Sequence, residues 1–226
     1  MQVDEMLRRV TDKTKIVIVA NPNNPTGTYL PDSELRRLHA GLPEHVLLVV
    51  DGAYAEYVTR EDYSCGLELA RSAANVVVTR TFSKIYGLPA LRIGWAYASP
   101  AIIDAVQRIR TPFNTNAAAL AAAAAAVKDV DYTRQQREHN AAWLERIRES
   151  LTALGLYVVP SVTNFYLMRF PENSDKTASG AADYLKSRGI IPRPVGSEND
   201  PHLRITVGSD SENEAVLAAL TDYMNG

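Results

Sequence analysis

Cysteine is nearly absent from this sequence. Cys65 stands alone among 226 residues, so no intrachain disulfide can form, which fits a reducing, cytoplasmic home. Histidine is scarce too: His39, His45, His139 and His202 are scattered without the spacing of a metal site, and no metal is expected. Long apolar runs are missing, so no membrane span is expected, and the N-terminus lacks the apolar stretch of a signal peptide. An excess of either charge is missing as well. With a formal net charge of -2 and no basic block interleaved with aromatics, neither nucleic acid nor an anionic membrane surface is an expected partner. What is present is a soluble composition, 46% apolar and 22% charged, enough to build one large domain or two modest ones.

The first half alternates short apolar runs with helical patterns. "KIVIVA" (15–20) is continuous and β-branched, as expected of a strand buried on both faces. "LPDSELRRLHAGLP" follows, a helix bracketed by Pro-Asp-Ser and Gly41. "HVLLVV" (45–50) and "ANVVVT" (74–79) are the second and third buried runs. Strands alternating with helices predict an α/β fold with a mostly parallel sheet, whose ligands bind beyond the carboxyl ends of the strands.

Polar clusters stand at those ends: "NPNNPTG" (21–27), "DGAYAEY" (51–57) and "RTFSK" (80–84). Each has a structural alternative. The heptapeptide is rich in turn formers, Asp51 can cap a helix, and Lys84 can be a solvated side chain. Three such clusters at successive strand ends make coincidence a poor explanation.

A lysine, a carboxylate and a phosphate-binding set are what pyridoxal 5'-phosphate requires. The lysine, Lys84, forms a Schiff base with the aldehyde, and an acid, Asp51, keeps the pyridine nitrogen protonated as an electron sink. Tyr54 and Asn24 are candidates to hydrogen-bond the ring's phenolic oxygen. Thr81 and Ser83 supply hydroxyls beside Lys84, and Arg92 offers a planar fork for a phosphate dianion, with a structural ion pair as its alternative.

The set "NPNNPTG … DGAYAEY … TFSKIYGLPALRIGWA", with the later "LRITVGSDSEN", resembles the fold-type I, class I/II aminotransferases, and most closely their histidinol-phosphate branch. The likeness runs over the whole chain. It implies a truncated cofactor-binding large domain at 1–127 and a smaller α+β C-terminal domain at 128–226, working as a homodimer on amino-acid and oxo-acid substrates. It assigns Lys84 to the cofactor and the proton shuttle, Asp51 to the ring nitrogen, Tyr54 and Asn24 to the ring oxygen, and Ser83 and Arg92 to phosphate, with Thr81 beside them. Family members carry a substantial region before the first of these strands, which here arrives soon after Met1. The resemblance therefore implies a missing glycine-containing phosphate turn, a missing aromatic ring that stacks on the cofactor, and a missing arm for the partner's site.

From about Asp131 the pattern changes. "YTRQQREHNAAWLERIRESLTALG" has helical spacing and ends at Gly155. Strand-like "LYVVP" and "NFYLMRF", helix-like "ASGAADYLKSRG" and strand-like "HLRITV" follow, and a last helix is expected to open on a capping box of Ser211 with Glu214. The alanine-rich run 117–126 reads as a close-packed helix. Arg204 sits in "HLRITV", where a guanidinium is costly unless paired. In the resembling family it binds the substrate carboxylate. Asn164 in "TNF" and Arg193 in "IPRPV", on an expected loop, complete the substrate-side candidates.

Two classes of function stand open. One is an aminotransferase passing an amino group between L-glutamate and imidazole acetol phosphate, with aromatic or other amino-acid transamination and a phosphothreonine-type decarboxylase as variants. The other is an inactive, truncated dimerisation module.

Overall fold

The computed structural model describes residues 2–172, 175–197 and 200–226. Their contacts form two compact units, Met1–Asn23 with Tyr29–Gln136, and Asn24–Thr28 with Arg137–Gly226.

In the first unit, α1 (Val3–Arg8) leads into β1 (Ile16–Ala20), α2 (Asp32–Ala40), β2 (Leu47–Asp51), α3 (Leu67–Ser72), β3 (Val76–Thr81) and β4 (Gly94–Tyr97). The strands make a sheet in the order β1-β2-β3-β4. The first three are parallel, with Ile18 opposite Val49 and Val49 opposite Val77, and β4 returns antiparallel to β3. Val19, Leu48, Val50, Val76 and Val78 form one core with Leu35 and Leu38 of α2 and Val3 of α1. Helix α2 begins where expected, with Asp32 and Glu34 in the first turn and Arg37 and His39 in the last, charges that oppose the helix dipole.

One expectation fails here. β1 is not buried on both faces: Ile16 and Ile18 are 53% and 68% exposed. The core with α1 and α2 takes its side chains from the other face, through Val17 and Val19, which puts Ile16 and Ile18 on the opposite side of the pleat.

Beyond the sheet come α4 (Pro100–Ile109), α5 (Ala117–Lys128) and α6 (Val130–Ala153). Asn116 caps α5 by accepting from the Ala119 amide at 2.8 Å. The alanine face of α5 is small enough for close approach: Ala119 and Ala123 are buried against Phe82 and Ile93, the residues that flank the Lys84 loop.

The second unit is a sheet of β5 (Tyr157–Val158), β6 (Phe165–Arg169), β7 (Arg193–Pro194) and β8 (His202–Thr206), ordered β5-β6-β8-β7 and antiparallel throughout. Trp143, Ile147 and Leu151 of α6 pack on it with α7 (Ala178–Ser187) and α8 (Asp210–Asn225).

The capping box of α8 lies two residues earlier than expected. Ser209 is the N-cap, and its amide and hydroxyl both donate to Glu212 Oε2 at 2.8 Å. Those bonds hold the Glu212 carboxyl below its usual range. Ser211 is already helical, and Glu214 pairs with Arg146 at 2.5 Å. Both serines have a glutamate three positions on; the extended backbone at Ser209, φ -67 and ψ 169, decides which one caps.

Candidate active site

In the first unit, the turn after β2 carries Asp51 and Tyr54. Asp51 ends its strand beside Thr79 of β3, and its Oδ1 accepts both the Thr79 hydroxyl (3.3 Å) and the Ala53 amide (3.1 Å). Both bonds direct the carboxyl group, and both arrive at one oxygen. Tyr54 is buried, and the Lys84 amine stands 5.2 Å from its ring centroid. Lys84 is half-buried, held between buried Phe82 and Ile85, so the loop that bears the amine is anchored on both sides.

Ser83 and Arg92 meet in the same unit. Arg92 Nη1 donates to Ser83 Oγ at 3.3 Å and to the Pro89 carbonyl at 2.7 Å. Arg92 has φ 50 and ψ 50, a left-handed conformation that a non-glycine residue rarely adopts outside tight functional turns. Thr81 accepts the Ser83 amide at 3.0 Å, which spends its oxygen on shaping the turn and leaves its proton to donate. Asn21, at the start of the heptapeptide, is structural: fully buried, it accepts the Leu30 amide and donates to the Leu30 carbonyl.

In the second unit, Asn24 meets Arg204. Arg204 lies on β8 between buried Leu203 and Ile205. Its Nη1 donates to Asn24 Oδ1 at 2.5 Å, and its guanidinium carbon stands 4.9 Å from the Phe165 ring centroid. Arginine only donates, so the amide must turn its oxygen to Arg204, which leaves Nδ2 as a donor. Arg204 Nε is buried without a hydrogen-bond partner among the described residues. Arg193 is not on a loop as expected. It is in β7, directly opposite Arg204, because the segment pairs with β8; cross-strand partners share a face, so both side chains leave the sheet on the same side. The Asn164 carbonyl accepts the Val207 amide at 2.9 Å, closing the end of the β6–β8 ladder.

The segment that holds Asn24 is locked within this unit. Val162 donates to the Gly27 carbonyl at 2.9 Å, and Gly27, at φ +75, leaves no room for a Cβ, which would lie 2.3 Å from Ser161 Oγ.

Arg80 and Glu56 were missed by the sequence reading. Their side chains are 8% and 16% exposed and bond at 3.3 Å. The signal existed: Arg80 interrupts the apolar strand "VVVTRT" just as Arg204 interrupts "HLRITV".

The donor set of the first unit fits pyridoxal 5'-phosphate. It offers an amine on an anchored loop beside a phenol, a carboxylate whose hydrogen bonds among the described residues fall on one oxygen, and a hydroxyl–guanidinium pair suited to a dianion. Among the described residues no cluster of His, Cys, Asp and Glu could hold a metal, and no helix is long and apolar enough to cross a membrane.

Residues 1–220 match the family model "Aminotransferase class I and II". The chain belongs to that family. Two similar relatives are the histidinol-phosphate aminotransferases of Rhodopseudomonas palustris strains BisA53 and HaA2, 53% and 52% identical over 98% of this chain. Among solved structures, the histidinol-phosphate aminotransferase of Sinorhizobium meliloti, in complex with pyridoxal-5'-phosphate, superposes with a TM-score of 0.89 at 31% identity over 99% of this chain. This class I and II aminotransferase chain spans 61% of the length of each of these relatives.

Proposed function

We propose that this chain carries the cofactor-bearing lysine and the substrate arginines of a pyridoxal-phosphate-dependent aminotransferase. Its reaction passes an amino group between L-glutamate and imidazole acetol phosphate. The observation that carries the reading is the 53% and 52% identity to two histidinol-phosphate aminotransferases over nearly the whole chain.

Bound pyridoxal phosphate supplies an aldehyde for the amine and a ring that draws electrons from the substrate α-carbon. Lys84 Nζ holds the cofactor and moves the proton at that carbon. Asp51 holds a proton at the ring nitrogen, and Tyr54 donates to the ring oxygen, with the Asn24 amide as a second donor. Ser83, Arg92 and the Thr81 hydroxyl bind phosphate. Arg204 binds the substrate carboxylate in a bidentate grip, Arg193 adds a second cation for a substrate with two anionic groups, and Asn164 supports that side. Glutamate has two carboxylates, and the phosphorylated partner has a phosphate; both suit two arginines on one side of the sheet.

We assign cofactor binding to residues 1–127 and the smaller substrate-side domain to 128–226, in a cytoplasmic homodimer. The test is an assay of the chain extended to the length of its relatives, with glutamate as donor. Imidazole acetol phosphate is expected to turn over at a kcat/KM at least tenfold above aromatic oxo acids. Equal or reversed preference would reject the substrate, and release of carbon dioxide from phosphothreonine would replace it with a decarboxylase.

A further inference from the structure

Arg80 lies one residue before the end of β3, on the sheet face away from Asp51 and Thr79. Its Nη1 donates to the Gly52 carbonyl at 3.2 Å and to Glu56 Oε1 at 3.3 Å. Those two acceptors bracket Ala53, Tyr54 and Ala55. The guanidinium thus grips the turn that presents Tyr54 from both sides of the tyrosine. The Gly52 carbonyl also accepts the Ala55 amide at 3.1 Å, so the arginine reinforces a bond internal to the turn.

The surroundings are built for this grip. A Cβ at Gly52 would stand 3.0 Å from Arg80 Nε and 3.2 Å from Cζ, so a larger residue there would press on the arginine side chain. Trp95, opposite Arg80 on β4, covers it with its ring centroid 5.9 Å away. Arg80 Nε is buried without a hydrogen bond among the described residues. A buried cation is costly unless paired, and among the described residues the hydrogen bonds its side chain makes go to one turn.

We propose that Arg80, together with Glu56, is a positioning residue that holds Tyr54 over the Lys84 amine. This rests on the reading of Lys84 and Tyr54 as cofactor residues. A phenol donating to the ring oxygen stabilises its negative form and lets the neighbouring nitrogen release its proton at lower pH. If the turn slackens, that donor drifts and the nitrogen holds its proton to higher pH.

The test is a pH titration of the bound-cofactor absorbance in the extended, cofactor-loaded enzyme. Arg80→Lys and Glu56→Gln are each expected to raise the midpoint by about one pH unit, a tenfold change in proton affinity. In a Tyr54→Phe background the same substitutions are expected to move it no further, because the group they position is gone. Glu56→Gln keeps shape and hydrogen bonding and carries the test if Arg80→Lys does not fold. Equal shifts in both backgrounds, or none in either with the fold intact, would overturn this inference alone. Absence of any cofactor band in the unmutated enzyme would overturn the functional reading and this one with it.

Discussion

Tyr63 and Tyr166 show how burial acts on single groups. Burial pushes both phenols well above their ordinary value of 10.0, Tyr63 against the opposing pull of Arg80, while its hydroxyl donates to the Asn21 carbonyl at 2.8 Å. The sign follows from linkage. In the unfolded chain these phenols ionise near pH 10, whereas in the fold they stay protonated to higher pH, so their stabilising effect is complete below pH 10 and is lost as pH rises above it. By pH 11 each is expected to have removed on the order of 1 kcal/mol. Tyr166→Phe should therefore flatten the fall in stability between pH 10 and 11, measured by urea unfolding; an unchanged slope would contradict the burial argument. Among the candidate residues, Lys84, Asp51 and Arg204 stand out in the sequence because each puts a charge at or inside an apolar run. Arg80 carries the same mark. Nothing in "VVVTRT", however, tells which side of the sheet that arginine serves.

Among the elements, strands and helices could be read from apolar runs and caps, but their neighbours could not. The run "KIVIVA" has no feature that distinguishes a strand covered on both faces from one covered on a single face with Ile16 and Ile18 exposed. β4 and β7 are short and antiparallel, and their partners, not their own residues, make them strands; that is why Arg193 was expected on a loop. The start of α8 offered two serines with the same spacing to a glutamate, and only the backbone at Ser209 separates them. Ser209→Ala should cost about 1 kcal/mol of unfolding free energy, and Ser211→Ala less than about 0.5 kcal/mol. Equal losses in chemical denaturation would contradict the observed cap.

At the scale of the molecule, two compact units divide the candidate residues. One holds the amine, the carboxylate and the hydroxyl–guanidinium pair, and the other holds the two cross-strand arginines with Asn24. The fold class and family were legible because chemistry recurs at three strand ends; the division of contacts within α6 was not, since a continuous helix has no linker to mark it. The central claim is that Lys84 is the residue that holds pyridoxal phosphate, and borohydride reduction tests it most directly. The cofactor-loaded enzyme, reduced and digested, should yield a phosphopyridoxyl label on the peptide containing Lys84, and Lys84→Ala should yield none. A label on Lys15 or Lys128 in its place, or a label that survives Lys84→Ala, would contradict it.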